Sequence, residues 1–237
     1  MDNRRRRGHG WHCETSDMKL RSSCQNNSAI TRIEVIVIIG VIVILMVGSG
    51  VFDRGYPARP KPVGVVCENN LKIIGLSCRI WSGDARDIFP MGISVTNGGA
   101  LELTQTGNVV SAFLLMSNEL STPKILTCPA DTNRIRATAF SNLTSSNISY
   151  FVNADTINSD NPQLVLSGDC NLQIGASPVK SGLLLIRTND SVTWVSARHG
   201  KFGYILFADG SVRLVASTNL SDCFPRTGVS ATHLAIP

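Results

Sequence analysis

The sequence is sparing with charge and with aromatic rings, which make up 16% and 6% of its 237 residues. With 43% hydrophobic residues, that charge content excludes an intrinsically disordered chain. The net charge of +5 is concentrated at one end: residues 1–29 hold six basic and three acidic side chains. The remaining 208 residues carry 16 basic and 14 acidic groups and have no basic stripe, which argues against a nucleic-acid partner. The seven cysteines contain no Cys-x-x-Cys pair and no local Cys/His cluster, so the spacing supports no zinc module. No nucleophile elbow or glycine-rich phosphate loop surrounds any Ser, Cys or His.

What the chain has is one long apolar run. Arg4–Arg7 leads a polar stretch that ends at AITRIEVIVIIGVIVILMVGSG, Ala29 to Gly50. A positive stretch ahead of an apolar run reads as a targeting segment rather than a nucleic-acid patch. From Ile33 to Val47 the only charge is Glu34, and apolar character continues to Phe52. At about 1.5 Å per residue, a helix of roughly 18 to 20 residues matches a bilayer core, so residues 30–52 are expected to form a transmembrane helix. Gly48, Gly50, Pro57, Pro60 and Pro62 are expected to stop it and open a stiff linker over residues 53–66. Two ordinary readings compete. A secretory signal peptide has a shorter core, although Val47-Gly48-Ser49 passes as a cleavage site. A plain anchor fits the length but leaves Glu34 as a cost of about 2.5 to 3.5 kcal/mol.

Ala29-Ile30-Thr31-Arg32-Ile33-Glu34 ahead of the apolar run resembles the processing site of type IV pilin-like proteins, including the pseudopilins of type II secretion. The resemblance implies cleavage by a prepilin peptidase between Ala29 and Ile30, then methylation of the new amino terminus at Ile30. Ala29 stands where Gly is commoner, and Arg32 where Leu is usual. By the same resemblance, Glu34 would be the fifth residue of the mature chain and would neutralise the amino terminus of a neighbouring subunit as helices bundle. An apolar environment makes that amine and carboxylate strongly preferred partners, and the buried charge sets register.

The rest reads as a small α+β domain. Leu71, Ile74, Cys78 and Trp81 recur at helical spacing and predict an amphipathic helix over Cys67–Trp81, with Lys72 and Arg79 elsewhere on its surface. Gly75 inside it marks a close packing contact. A second helix is expected over Val109–Glu119, and short strands over Ile148–Val152, Leu164–Ser167, Gly182–Ile186 and Val192–Val195. Asp209-Gly210, between the apolar runs of Gly203–Val215, predicts a hairpin with a type I′ turn. The expected architecture is an N-terminal transmembrane helix, a Pro-rich break, and a periplasmic domain at 67–237 with the amphipathic helix packed on an antiparallel sheet.

The resemblance extends into this domain. Cys67 through Gly75, Cys128-Pro129-Ala130-Asp131, Ser149-Tyr150-Phe151, Ser167 through Asn171 and the closing Leu234-Ala235-Ile236-Pro237 are similar to landmarks of prepilin-type proteins. His199 followed after nine residues by Asp209-Gly210 matches their processing-associated signature; Cys170 stands where relatives commonly have Arg. Five cysteines remain after the leader, and spacing leaves their connectivity open. Cys67 with Cys128 is the pair the resemblance implies, because both lie in landmarks. A buried free thiol is the competing reading for Cys78. Cys128 or Ser196, His199 and Asp209 can be assembled on paper into a triad, but His199 reads as an exposed turn residue and Asp209 as part of a turn, so no enzyme is expected. Asp155, Asp160 and the nearby Asn residues do not follow a calcium-loop order and read as a solvated loop.

The expected function is therefore that of a pilin-like structural subunit, a type II secretion pseudopilin, in the bacterial inner membrane. Residues 1–29 would be a cytoplasmic leader, and the C-terminal domain would be periplasmic. Its partners would be the prepilin peptidase, other pilin-like subunits and the inner membrane, with no cofactor, no metal and no nucleic acid. The rival is a membrane-anchored envelope binding protein that uses the segment for insertion only.

Overall fold

A computed structural model describes residues 31–48, 62–195, 198–224 and 231–237. The chain divides into two compact units, residues 1–58 and 59–237. The expected cleavage site at Ala29 and Ile30, and most of the expected linker, lie outside the described residues.

In the first unit, helix α1 runs Arg32–Gly48. β-Branched residues fill much of it and are poor helix formers, so its start needs a nucleus. Thr31 and Glu34 supply one. The Thr31 N–H donates to Glu34 Oε2 at 2.8 Å, the Thr31 hydroxyl donates to the same oxygen at 3.0 Å, and the Glu34 N–H returns to Thr31 Oγ1 at 3.4 Å. This is a capping box, Thr at the N-cap and Glu three residues on, which satisfies backbone N–H groups that the first turn of a helix otherwise leaves open. The hydrogen bonds from Thr31, backbone first, hold the Glu34 carboxyl below the usual carboxylate range.

The helix corrects the expected membrane span. The described helix has 17 residues and rises about 25 Å, against the 23 expected over residues 30–52, of which Ile30 and 49–52 lie outside the described residues. Arg32 and Glu34 occupy its first turn, which leaves Val35–Gly48, about 21 Å of uncharged helix against the roughly 30 Å of a hydrocarbon core. Among the described residues, no helix is long and apolar enough to cross a membrane. The transmembrane element of the expected architecture and the single-pass inner-membrane location are overturned on this ground.

The second unit is α+β with antiparallel sheets. Helix α2 spans Val63–Gly83, so Val63–Val66, expected in the linker, are its first turn, directly after Pro62. Cys67, Leu71, Ile74 and Cys78 form its buried face, and Lys72 pairs with Glu68 at 2.5 Å on the exposed side. Short helices α3 (Leu101–Gln105), α4 (Val109–Leu115) and α5 (Ser117–Leu120) follow. The single helix expected over Val109–Glu119 is therefore broken at Met116.

Among the described residues of the unit, nine strands follow: β1 Tyr150–Asn153, β2 Val165–Asp169, β3 Leu172–Ile174, β4 Ser177–Pro178, β5 Gly182–Arg187, β6 Val192–Trp194, β7 Phe202–Phe207, β8 Val212–Ala216 and β9 Ala231–Ile236. Six of them pair antiparallel in the order β5-β9-β1-β2-β7-β8, and β4-β3-β6 make a smaller antiparallel sheet. Successive side chains of a strand point to opposite faces, and here both faces are covered. Tyr150, Val152, Leu166, Leu206 and Ala235 join a core with Leu71, Ile74, Phe113 and Met116 of the helices. Phe151, Val165, Ile205, Phe207, Leu234 and Ile236 join a second core with Leu172, Val192 and Trp194 of the smaller sheet. The helix seats closely because position 75 is Gly: a Cβ there would meet Leu206 Cδ1 at 2.8 Å.

The β7–β8 hairpin forms where expected but with a different turn. Gly210 has φ +81°, whereas Asp209 is not among the residues with positive φ, so the type I′ geometry is absent. The Gly210 N–H donates to Phe207 O and the Phe207 N–H to Ser211 O, both at 2.9 Å. That is a three-residue loop, a type I turn closed by a left-handed Gly. The Asp209 carboxylate accepts the Ser211 N–H at 2.8 Å, which secures the turn.

Candidate functional site

Four separate stretches of chain meet where α2 crosses the central sheet. Cys67 comes from the first turns of α2, and Cys128 and Asp131 from the segment after the 3-10 turn Pro123–Leu126. Asp169 is the last residue of β2, and Arg198 and His199 immediately precede β7. Cys67 and Cys128 are disulfide-bonded, with Cα atoms 5.3 Å apart and no exposed surface. His199 Nε2 lies 3.4 Å from Cys128 Sγ and 3.8 Å from Asp169 Oδ2. The His199 ring meets Tyr204 edge-on with centroids 5.3 Å apart. The two sulfurs and the imidazole nitrogen all lie within 4.8 Å of one another.

Burial shapes the electrostatics. Asp169 is fully buried, and desolvation pushes its carboxyl up to about 6 even though Oδ2 accepts the Tyr204 N–H at 2.8 Å. Its other oxygen, Oδ1, is buried without a hydrogen-bond partner. His199 is pushed below its ordinary range, first by burial and then by the Arg198 guanidinium, so its imidazole is neutral at pH 7. Beside it, Asp131 Oδ2 accepts from Ser149 Oγ at 2.9 Å and pairs with Arg134 Nε at 3.1 Å and with Arg198. Arg198 also donates to Ser149 O at 3.0 Å and to Cys170 Sγ at 3.3 Å. Arg134 reaches Cys170 Sγ at 3.5 Å and the Pro237 oxygen at 3.3 Å. A cavity of about 220 Å³ opens beside this network, lined in part by Asp131, Arg134, Cys170, Arg198 and Pro237.

Asn70 fastens the helix to the same region. Its Nδ2 donates to Thr127 O at 3.3 Å and to the Tyr150 hydroxyl at 3.2 Å. Burial, then the Asp169 charge, pushes the Tyr150 phenol above its ordinary range, so it stays neutral.

The sequence-singled residues fall into three groups. Cys67, Cys128, Asp131, Asp169 and His199 converge. His199 is not the exposed turn residue expected from Arg-His-Gly-Lys; it is largely covered, because Cys128, Asp169 and Tyr204 close around it. Asp209 and Gly210 do not join it. His199 precedes β7 and Asp209 follows it, so at about 3.3 Å per strand residue the nine-residue spacing holds them at opposite ends of one strand. The sequence reading found no Cys/His cluster, yet the fold brings Cys67, Cys128 and His199 together from distant parts of the chain. Cys78, Cys170 and Cys223 are free thiols, and burial pushes Cys78 up to about 12.

Asp155 and Asp160 are engaged within the chain. Asp155 Oδ2 accepts the His233 N–H at 2.7 Å, and Asp160 Oδ2 accepts from Asn158 Nδ2 at 2.7 Å. Ser196 lies outside the described residues. Sequence reasoning missed the role of Thr31, although Thr-x-x-Glu ahead of an apolar run is the capping-box signal. It also missed the Asp131–Arg198–Asp169 network, for which the sequence carries no local sign. Compared with protein-family models, curated proteins and solved structures, the chain matches none of them.

Proposed function

We propose that the chain is a pilin-like structural subunit, of the type II secretion pseudopilin kind, that assembles with further pilin-like subunits through α1. The observation that carries this reading is the surface of α1. Its large apolar side chains from Ile33 to Leu45 are 43–74% exposed on every side, and its charges are confined to the first turn. A helix that is hydrophobic all round belongs inside a larger body, and a bundle of like helices supplies one.

Glu34 serves two stages of this mechanism. In the single chain it caps its own helix through Thr31. In the assembly its exposed carboxylate, at the very start of the helix, takes the amine that a prepilin peptidase creates at Ile30 of a neighbouring subunit by cutting after Ala29. That amine is then methylated. The reading is structural rather than enzymatic, in keeping with the disulfide at Cys128 and with the length of β7 between His199 and Asp209.

Intact-mass analysis and chemical cross-linking of the natively expressed protein test the proposal. A chain that starts at Ile30 with one added methyl group, cross-linked into ladders that Glu34→Ala abolishes, is the expected result. A monomer that retains residues 1–29, or ladders unchanged by Glu34→Ala, would refute it.

A further inference from the structure

We propose that Cys67, Cys128, His199 and Asp169 form a zinc site when the disulfide is reduced, so that a covalent bond and a metal ion are alternative closures of the same point in the fold. Two sulfurs, joined in the disulfide, and a nitrogen lie within 4.8 Å of one another; Asp169 stands outside that group of three, with Oδ2 3.8 Å from the nitrogen, and would complete the set as fourth ligand. Two thiolates, an imidazole and a carboxylate are the ligand types and the number that tetrahedral Zn²⁺ takes.

A second observation points to the same ion. Asp169 is fully buried; its Oδ2 lies near His199 Nε2 and accepts the Tyr204 N–H, while Oδ1 has no hydrogen-bond partner and is left to take a cation when the carboxylate turns toward the cluster. A buried carboxylate left half-satisfied is costly, and coordination of a cation removes that cost. Thiolates on tetrahedral zinc stand about 3.7 Å apart, given Zn–S bonds of about 2.3 Å. With the Cα atoms at 5.3 Å, rotation of the two side chains supplies that separation. The ion with two thiolates and Asp169 sums to one negative charge, which the guanidinium of Arg198, beside Asp169, offsets.

The exchange balances. A dithiol reductant gives two electrons and two protons to the Cys67–Cys128 bond; that bond breaks, two thiols form, and the reductant closes its own disulfide. Zn²⁺ then displaces one proton from each thiol to solvent as two Zn–S bonds form. Neutral His199 contributes its Nε2 lone pair with no proton to release, and Asp169 enters as the carboxylate. Oxidation reverses the sequence and ejects the ion.

The test is a Co²⁺ titration of the full chain under anaerobic conditions, before and after reduction, with the reductant removed. The reduced protein is expected to take up one Co²⁺, with visible d–d bands of tetrahedral intensity and a near-ultraviolet thiolate-to-cobalt band, and to release it to Zn²⁺. The oxidised protein and the reduced Cys67→Ser/Cys128→Ser variant should show neither band. His199→Ala should weaken binding by at least about tenfold, as loss of groups around a metal does. Zn²⁺ should also slow alkylation of Cys67 and Cys128 in the reduced wild-type chain while leaving Cys170 and Cys223 unchanged, a readout that does not depend on the variants folding. The proposal is overturned if the reduced wild type binds no Co²⁺, if the double-serine variant binds equally, or if Zn²⁺ leaves alkylation of Cys67 and Cys128 unaltered.

Discussion

Replacing both Cys67 and Cys128 with Ala opens a loop whose ends are 61 residues apart in sequence. Cross-linking removes closure entropy from the unfolded ensemble as the logarithm of loop length, which for this loop amounts to about 4 kcal/mol. The cross-link ties the first turns of α2 to the segment that carries Asp131, and both sulfurs are fully buried, so the folded state has no looser arrangement to relax into. For a domain of this size about 4 kcal/mol corresponds to a fall in Tm of roughly 8–16 °C. Urea denaturation followed by the fluorescence of Trp81 and Trp194 reads the change directly. The urea slope should rise as well, because the uncrosslinked unfolded chain exposes more surface. Wild type reduced in the presence of a chelator should behave as the variant does. A loss below about 1 kcal/mol in both samples would refute the entropic account.

Gly75→Val should destabilise the domain by about 1–3 kcal/mol in urea denaturation, because even a Cβ overlaps Leu206 Cδ1 at 2.8 Å. Asn70→Ala removes the donor shared by Thr127 O and the Tyr150 hydroxyl, and should cost about 1–3 kcal/mol by the same measurement. Asp169 is raised from 3.8 to about 6 on folding, so the folded state holds its proton more tightly than the unfolded one. Its contribution is therefore present below about pH 4 and lost as pH rises through about 6, a swing of roughly 2–3 kcal/mol that Asp169→Asn should remove from the stability profile. His199 is shifted the opposite way, so its contribution is present above its ordinary pKa and lost as pH falls; His199→Gln should remove that acid-side loss in the same titration.

Some of the molecule was legible in the sequence because the governing forces are local. The period of Leu71, Ile74 and Cys78 fixes which face of α2 is buried, and periodicity is a property of neighbouring residues. Asp209-Gly210 located the β7–β8 hairpin because only a Gly tolerates positive φ cheaply there; the turn type escaped because it depends on how the flanking strands pair. The break at Met116 inside the expected Val109–Glu119 helix has no sequence sign, since no Gly or Pro stands there.

The ends of the apolar run illustrate the same division. The sequence reading reached a helix here through the demands of a bilayer, while Thr31-x-x-Glu34, the local signal that marks its start, went unread. The described length of 17 residues, and with it the loss of the membrane-spanning reading, came from the structure: the capping signal at Thr31 was not used, and of Gly48, Gly50 and the prolines that follow, the sequence does not say which one ends the helix.

By itself the sequence indicated an α+β domain, the positions of its main helix and hairpin, and an apolar helix near the N-terminus that was read, wrongly, as a membrane span. Only tertiary structure decided that residues 67, 128, 169 and 199 share one buried site, and that β9 sits inside the sheet between β5 and β1. Contacts across 61 or 71 positions leave no period and no spacing rule in the chain. They follow from which hydrophobic faces must be covered together, and the donor atoms are carried to one point by that packing.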